Sequence, residues 1–186
     1  MAKLIYSMGI SLDGYIAGPG DEIDWGAPDE ELHRFHNKQA RDTTVHLYGR
    51  RLYETMRYWD TAEEDPSLGE TEREFAQIWK AAPKVVFSKT LDAVEGNATL
   101  RREVVAAEIA ALKEQSAGNL AVGGAGLAAT FIRLDLIDEY HVFINPVVLG
   151  AGTPFFPQAG IPLELELLEA RKFGSRVVYL RYQRKR

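Results

Sequence analysis

The chain has 186 residues, 46% apolar and 26% charged, the proportions of a folded domain large enough to bury a core, which argues against disorder, collagen and coiled coil. Asp and Glu number 27 against 22 Lys and Arg, a formal net charge of −5, the opposite balance to that of a free-standing nucleic-acid binder. Cysteine is absent, so disulfides, thiolate metal sites and a cysteine nucleophile are excluded. No apolar run reaches the roughly 18 residues of a membrane span. The N-terminus lacks a charged region followed by an apolar one, so a cytoplasmic globular protein is expected.

One domain over residues 1–186 is expected, with no repeat or linker; Thr61 to Glu74 is a polar surface excursion. Lys3 to Ser11, rich in β-branched and aromatic residues, reads as a strand. Pro28 to Arg41 reads as a helix with acids in its first turn. Thr43 to Tyr48 is a strand ending at Gly49, and Arg50 to Arg57 and Glu72 to Ala81 are helices. Lys84 to Ser88 is a strand, and Leu100 to Gln115 an Ala- and Glu-rich helix. The strand Asn119 to Val122 leads through glycines into a helix from about Leu127 to Arg133, and Glu139 to Ile144 is a further strand. Leu163 to Leu167 alternates with period two, and Gly174-Ser175 reads as a two-residue hairpin turn into Arg176 to Tyr182. Arg184-Lys185-Arg186 is read as a solvated tail. The pattern is α/β: a mostly parallel sheet with a C-terminal antiparallel hairpin.

In such sheets ligands sit at the carboxyl ends of strands. The ends at Gly49, Ser88 and Gly123 all carry suggestive chemistry. Gly123-Gly124-Ala125-Gly126-Leu127 joins a strand to a helix start, the geometry that lets free N–H groups face a phosphate. Taken alone, the same turn also suits close helix–sheet packing. Arg50-Arg51 places two cations at a helix start, a cost of roughly 0.3–1 kcal/mol each that a bound anion would reverse. The other reading of Arg51 is a side chain extended into water. Ser88-Lys89 adds a hydroxyl and a cation. Positive charge where NAD-specific sites place an acid favours NADPH over NADH.

Asp13-Gly14 reads first as an Asx turn. Asp24-Trp25 could line a planar ligand, although Trp25 reads first as a core anchor. Glu31 borders the apolar face of its helix, one turn before Phe35. Ser11 fails the nucleophile-elbow pattern because Asp13 stands at its last position. No metal-ligand cluster or Walker A motif is present; His33 and His36 are read as surface residues, and His46 and His141 as ordinary hydrogen-bonding strand residues.

Four segments in order resemble the dihydrofolate reductase-like superfamily, in the branch shared with the reductase domain of bacterial riboflavin biosynthesis. They are Ser11 to Ala17, Leu47 to Glu54, Val86 to Lys89, and Gly123 to Leu127 with Leu136 to Glu139 and Pro146 to Gly152 behind it. The resemblance implies that superfamily's fold, helices on both sheet faces, a homodimer, and NADPH as hydride donor. Arg50, Arg51, Ser88 and Lys89 then serve the adenosine-phosphate half, and Gly49 and Leu52 are further cofactor-binding positions. Gly123, Gly124, Ala125, Gly126 and Leu127 hold the pyrophosphate, and Ile16 and Ala17 the nicotinamide. The substrate is a flat nitrogen heterocycle, like dihydrofolate or 5-amino-6-(5-phosphoribosylamino)uracil. It lies between Trp25 and the first helix with Phe35, and Asp13, Asp24 and Glu31 are the candidate catalytic acids. Leu52 stands where dihydrofolate reductases carry threonine, and Val122 where riboflavin reductases carry glutamate. The alternative is a nucleotide-binding module of the same fold without turnover. Neither reading involves a metal, a nucleic acid or a membrane.

Overall fold

The computed structural model describes residues 2–157 and 162–186. Along them run β1 (Leu4–Ile10), β2 (Tyr15–Ala17), α1 (Glu30–Arg41), β3 (Thr43–Gly49), α2 (Arg50–Met56), α3 (Tyr58–Thr61), α4 (Glu70–Ala81), β4 (Lys84–Phe87) and β5 (Ala98–Arg101). They continue with α5 (Ala106–Gln115), β6 (Asn119–Gly123), α6 (Ala125–Arg133), β7 (Glu139–Ile144), β8 (Thr153–Pro154), β9 (Leu165–Lys172) and β10 (Val178–Arg184). Eight strands form one sheet in the order β5-β4-β3-β6-β1-β7-β10-β9, while β2 and β8 pair separately. The strands from β5 to β7 are parallel, and β10 runs antiparallel to both β7 and β9. This is the expected α/β architecture, a mostly parallel sheet with a C-terminal antiparallel pair.

Side-chain alternation along the strands builds a core on each face. Leu4, Tyr6, Leu47, Leu120, Val122, Tyr140 and Val142 meet Ile109 of α5 and Phe131 and Ile132 of α6. On the opposite face Tyr48 and Val86 meet Trp79 of α4, and Phe143 and Tyr179 meet Leu32 of α1. Helix ends follow local chemistry. The Asp29 carboxylate accepts from the Leu32 N–H at 2.9 Å at the start of α1. Lys84, buried at the start of β4, donates to the carbonyls of Trp79 and Ala82 at the end of α4, where a cation is favoured.

Several expectations change. Residues 98–101 are a strand paired in parallel with β4, from Lys84↔Ala98 to Phe87↔Arg101, so the helix begins at Ala106 and not at Leu100. The free edge of β4 takes the segment that helix propensity alone would add to α5. The hairpin loop has three residues, not two. Phe173 N–H donates to Val177 O at 2.9 Å, Arg176 N–H to Phe173 O at 3.0 Å, and Arg176 takes φ 69°. Burial of Phe173 and Val177 fixes where the loop closes. The C-terminal cations are not a solvated tail: Arg184 pairs with Asp135 at 3.1 Å and Arg186 with Asp138 at 2.9 Å. His33 and His36 are half-buried and packed on aromatic rings, His33 near Trp59 and Phe75 and His36 against Phe143. Burial lowers the His36 pKa to about 4, with a further push from His33, so it packs as a neutral ring.

Candidate cofactor and active site

Strands β4, β3 and β6 are neighbours, with Gly49 opposite Phe87 and Tyr48 opposite Gly123. The turns after Phe87, Gly49 and Gly123 therefore leave one rim of the sheet side by side. Gly123 is required by packing, because a Cβ there would overlap the Leu52 side chain and lie 2.9 Å from the Tyr48 ring. Gly124 takes φ 92°, a left-handed conformation that suits glycine, and opens α6. Neither α2 nor α6 has a side-chain cap or a first-turn acid, whereas α1 has both. The two helix starts thus present free N–H groups and uncompensated positive ends to the same space. Leu127 and Leu52 pack at these starts: a Cβ on Gly49 would stand 3.5 Å from the Leu127 Cβ, and one on Gly124 3.7 Å from the Leu52 Cβ. Ala125 is buried in the first turn of α6, and a Cβ on Gly126 would meet nothing within 4 Å.

Cations rim this space. Arg50 donates to Glu54 at 2.8 Å and to the Thr90 hydroxyl at 2.9 Å, tying α2 to the turn after β4. Ser88 is buried, and its hydroxyl accepts from the N–H groups of Thr90 and Leu91 at 3.2 and 3.1 Å, which shapes that turn. Lys89 is exposed, and Arg51 extends into solvent, 3.7 Å from Asp21. Arg101 and Arg102, at the end of β5, were missed from sequence. Arg102 donates to the carbonyls of Ser88 and Leu91 and holds the turn from the other side. The signal was a basic pair after a strand, hidden because that segment reads as helix.

Beyond β6 the sheet parts. The β1–β6 pairing ends at Tyr6↔Val122, while β1–β7 continues to Ile10↔Ile144. A crevice opens between β1 and β6, and Gly9, although in a central strand, is exposed. This is the topological switch point at which open α/β sheets bind ligands. Two loops border it. Leu12 N–H donates to Val147 O at 2.7 Å, and Asp13 accepts from the N–H groups of Leu149 and Gly150 at 3.1 and 2.7 Å. Asp13 is therefore a latch between loops, not an Asx turn. A hydrogen bond with Ser11, and those from the two amides, hold its carboxyl below the usual range. Ile16 and Ala17 lie in β2, where Ala17 pairs with Thr153 of β8. Any Cβ on Gly152 would overlap the Ala17 carbonyl oxygen.

The remaining candidates are placed differently. Asp24 and Trp25 form a short 3-10 turn, with Asp24 exposed and the indole N–H donating to Glu22 O at 3.0 Å. Trp25 is half-buried and outside the core clusters, so it is not the core anchor expected. Glu31 accepts from the Gly174 N–H and from Arg171, both at 3.0 Å, and these bonds lower its pKa. Phe35 is closed in by the rings of Phe143, Phe173 and Tyr179, with the Arg171 guanidinium 5.2 Å away. Glu31 and Phe35 therefore secure α1 to the β9–β10 hairpin. A solvent-open hollow of about 490 Å³, bordered by Ala2, Lys113, Ser116 and Asn119, lies at the opposite rim and away from these turns. Among the described residues no group of three or more His, Asp or Glu is placed to hold a metal, and no helix is long and apolar enough to cross a membrane.

Residues 2–179 match the RibD C-terminal domain family. The chain belongs to that family. A relative, the uncharacterised protein YyaP of Bacillus subtilis (strain 168), is 32% identical over 97% of this chain and 94% of its own. Among solved structures, a putative riboflavin biosynthesis protein from Shewanella sp. PV-4 superposes with a TM-score of 0.76 at 22% identity, covering both chains fully. A dihydrofolate reductase from Enterococcus faecalis, complexed with NADP(H) and RAB-propyl, superposes with a TM-score of 0.63 at 16% identity, over 99% of this chain and 97% of its own. The solved neighbours show that this RibD C-terminal domain has a dihydrofolate reductase-like fold.

Proposed function

We propose that the protein is an NADPH-dependent reductase of a flat nitrogen heterocycle of the aminouracil or dihydropterin kind. One observation carries this reading: two uncapped helix starts and the Ser88–Leu91 turn stand side by side at one rim, next to the crevice between β1 and β6. The residues present fit the cofactor. Gly123 and Gly124 leave room for backbone approach, the first turns of α2 and α6 offer N–H donors, and Arg50, Arg51, Lys89 and Arg102 supply charge for a terminal phosphate. Ile16 and Ala17 border the inner end, where the flat ring belongs. When bound, the reduced nicotinamide supplies the hydride.

The chain's own work is then placement and exclusion of water. The Asp13 latch keeps the two loops together over the crevice. With Asp13 and Glu31 committed to other partners, Asp24 or solvent is left to deliver the proton; Asp24 alone of the three has no side-chain hydrogen bond among the described residues. The same commitments support the second reading, a binding module without turnover. A homodimer and a cytoplasmic location go with the family resemblance.

Titration of NADPH against NADH, followed by loss of the reduced-nicotinamide absorbance with candidate heterocycles, separates these readings. NADPH should bind at least about tenfold more tightly, a difference of roughly 1.4 kcal/mol. Arg50→Ala with Lys89→Ala should remove that preference while changing NADH affinity by less than about threefold. Equal losses for both cofactors would refute the phosphate assignment. Binding without oxidation across a broad panel would favour the module.

A further inference from the structure

Asn145, at the end of β7, is 6% exposed and belongs to none of the groups assigned above. Its Nδ2 donates to the carbonyls of Ile10 and Phe143, both at 3.2 Å, so both amide hydrogens are used. Both partners can only accept, which settles which end of the amide is nitrogen. The backbone N–H of Asn145 also donates to Ile10 O, at 2.8 Å. The side chain is thus fixed where β1 and β7 end together. Its Oδ1 accepts from no described protein group, yet it is not one of the buried atoms left without a partner, so it reaches solvent. A Cβ on the exposed Gly9 would lie 3.6 Å from Nδ2, which puts the amide beside Gly9 on the β7 side of β1.

A rigid, nearly buried acceptor that still reaches solvent discriminates strongly, because a guest that covers it without a donor leaves it dry and unpaired. We propose that Asn145 is a substrate-orienting residue, whose Oδ1 accepts a hydrogen bond from a ring N–H of the heterocycle lying across Gly9. This rests on the reductase reading for the identity of the guest, but its test does not require turnover.

The probes are 5,6-diaminouracil and its 1,3-dimethyl analogue, which lacks ring N–H groups. Each is titrated calorimetrically into wild type and Asn145→Ala, with and without NADPH. Wild type should prefer the N–H probe by about tenfold, and Asn145→Ala should bring the two within about twofold. NADPH affinity should be unchanged in Asn145→Ala. If Asn145 only ties β1 to β7, the variant loses thermal stability and binds both probes more weakly, but keeps the discrimination; that result overturns the proposal. Failure of 5,6-diaminouracil to bind wild type also overturns it. Absence of NADPH binding, with probe discrimination intact and dependent on Asn145, instead overturns the reductase reading alone.

Discussion

Glu139, at the start of β7, is 1% exposed and divides its oxygens among Lys3, His141 and Arg181. Burial alone would raise its pKa, but hydrogen bonds from His141, Arg181 and Lys3 outweigh burial and hold it well below the ordinary 4.5. A carboxyl lowered on folding contributes stability that is complete above its unfolded value and is lost as pH falls toward the folded one. Denaturant midpoints should therefore drop below about pH 4.5, and Glu139→Gln should make that decline shallower by up to ~1.4 kcal/mol per pH unit. At neutral pH the same change should cost about 2 kcal/mol, less than for a fully buried pair because Lys3 and Arg181 keep contact with water. Parallel acid limbs for the two proteins would show that Glu139 contributes nothing to the pH dependence. Residues like this expose what a linear sequence can convey. Asp13 and Glu31 are visible as acids beside a turn and an apolar face. Their partners Gly150 and Gly174 stand more than a hundred residues away, and only the fold joins them.

At the level of elements, α6 offers a test in which two effects oppose. An acid at the second position of a helix stabilises it through the macrodipole, and removing a glycine's extra conformational freedom adds to that. Gly126→Asp should therefore raise stability by about 1 kcal/mol, since a Cβ there meets nothing within 4 Å. On the proposed reading the same carboxylate would sit beside the cofactor's pyrophosphate, and NADPH affinity should fall by at least about tenfold. A more stable variant with unchanged affinity would mean that the glycines serve helix–sheet packing only. The long elements were readable because their periodicity and caps agree, as in α1 with Asp29 before it and Lys38 and Arg41 at its end. The short ones were not. β2 and β8 span three and two residues and carry no pattern of their own, existing because Gly152 lets one chain lie against the other. β5 was concealed by the helix-forming residues that follow it.

Over the whole molecule, the sequence marked which strand ends carry phosphate-friendly residues but not that they are neighbours. Strand order is a property of crossovers that local patterns do not encode. The sheet settles it by seating β3 between β4 and β6. The same order places β1 at the seam, joined to β6 through Leu4, Ile5 and Tyr6 and to β7 along its length from Ile5 to Ile10. Two half-sheets are thus joined by a short bridge. A molecule spanning that bridge fastens one half to the other and suppresses their concerted opening. Bound cofactor should slow amide exchange in β1 and β6 by a common factor, including at amides it never touches. Protection confined to the glycine turn would mean that the halves were never free to separate.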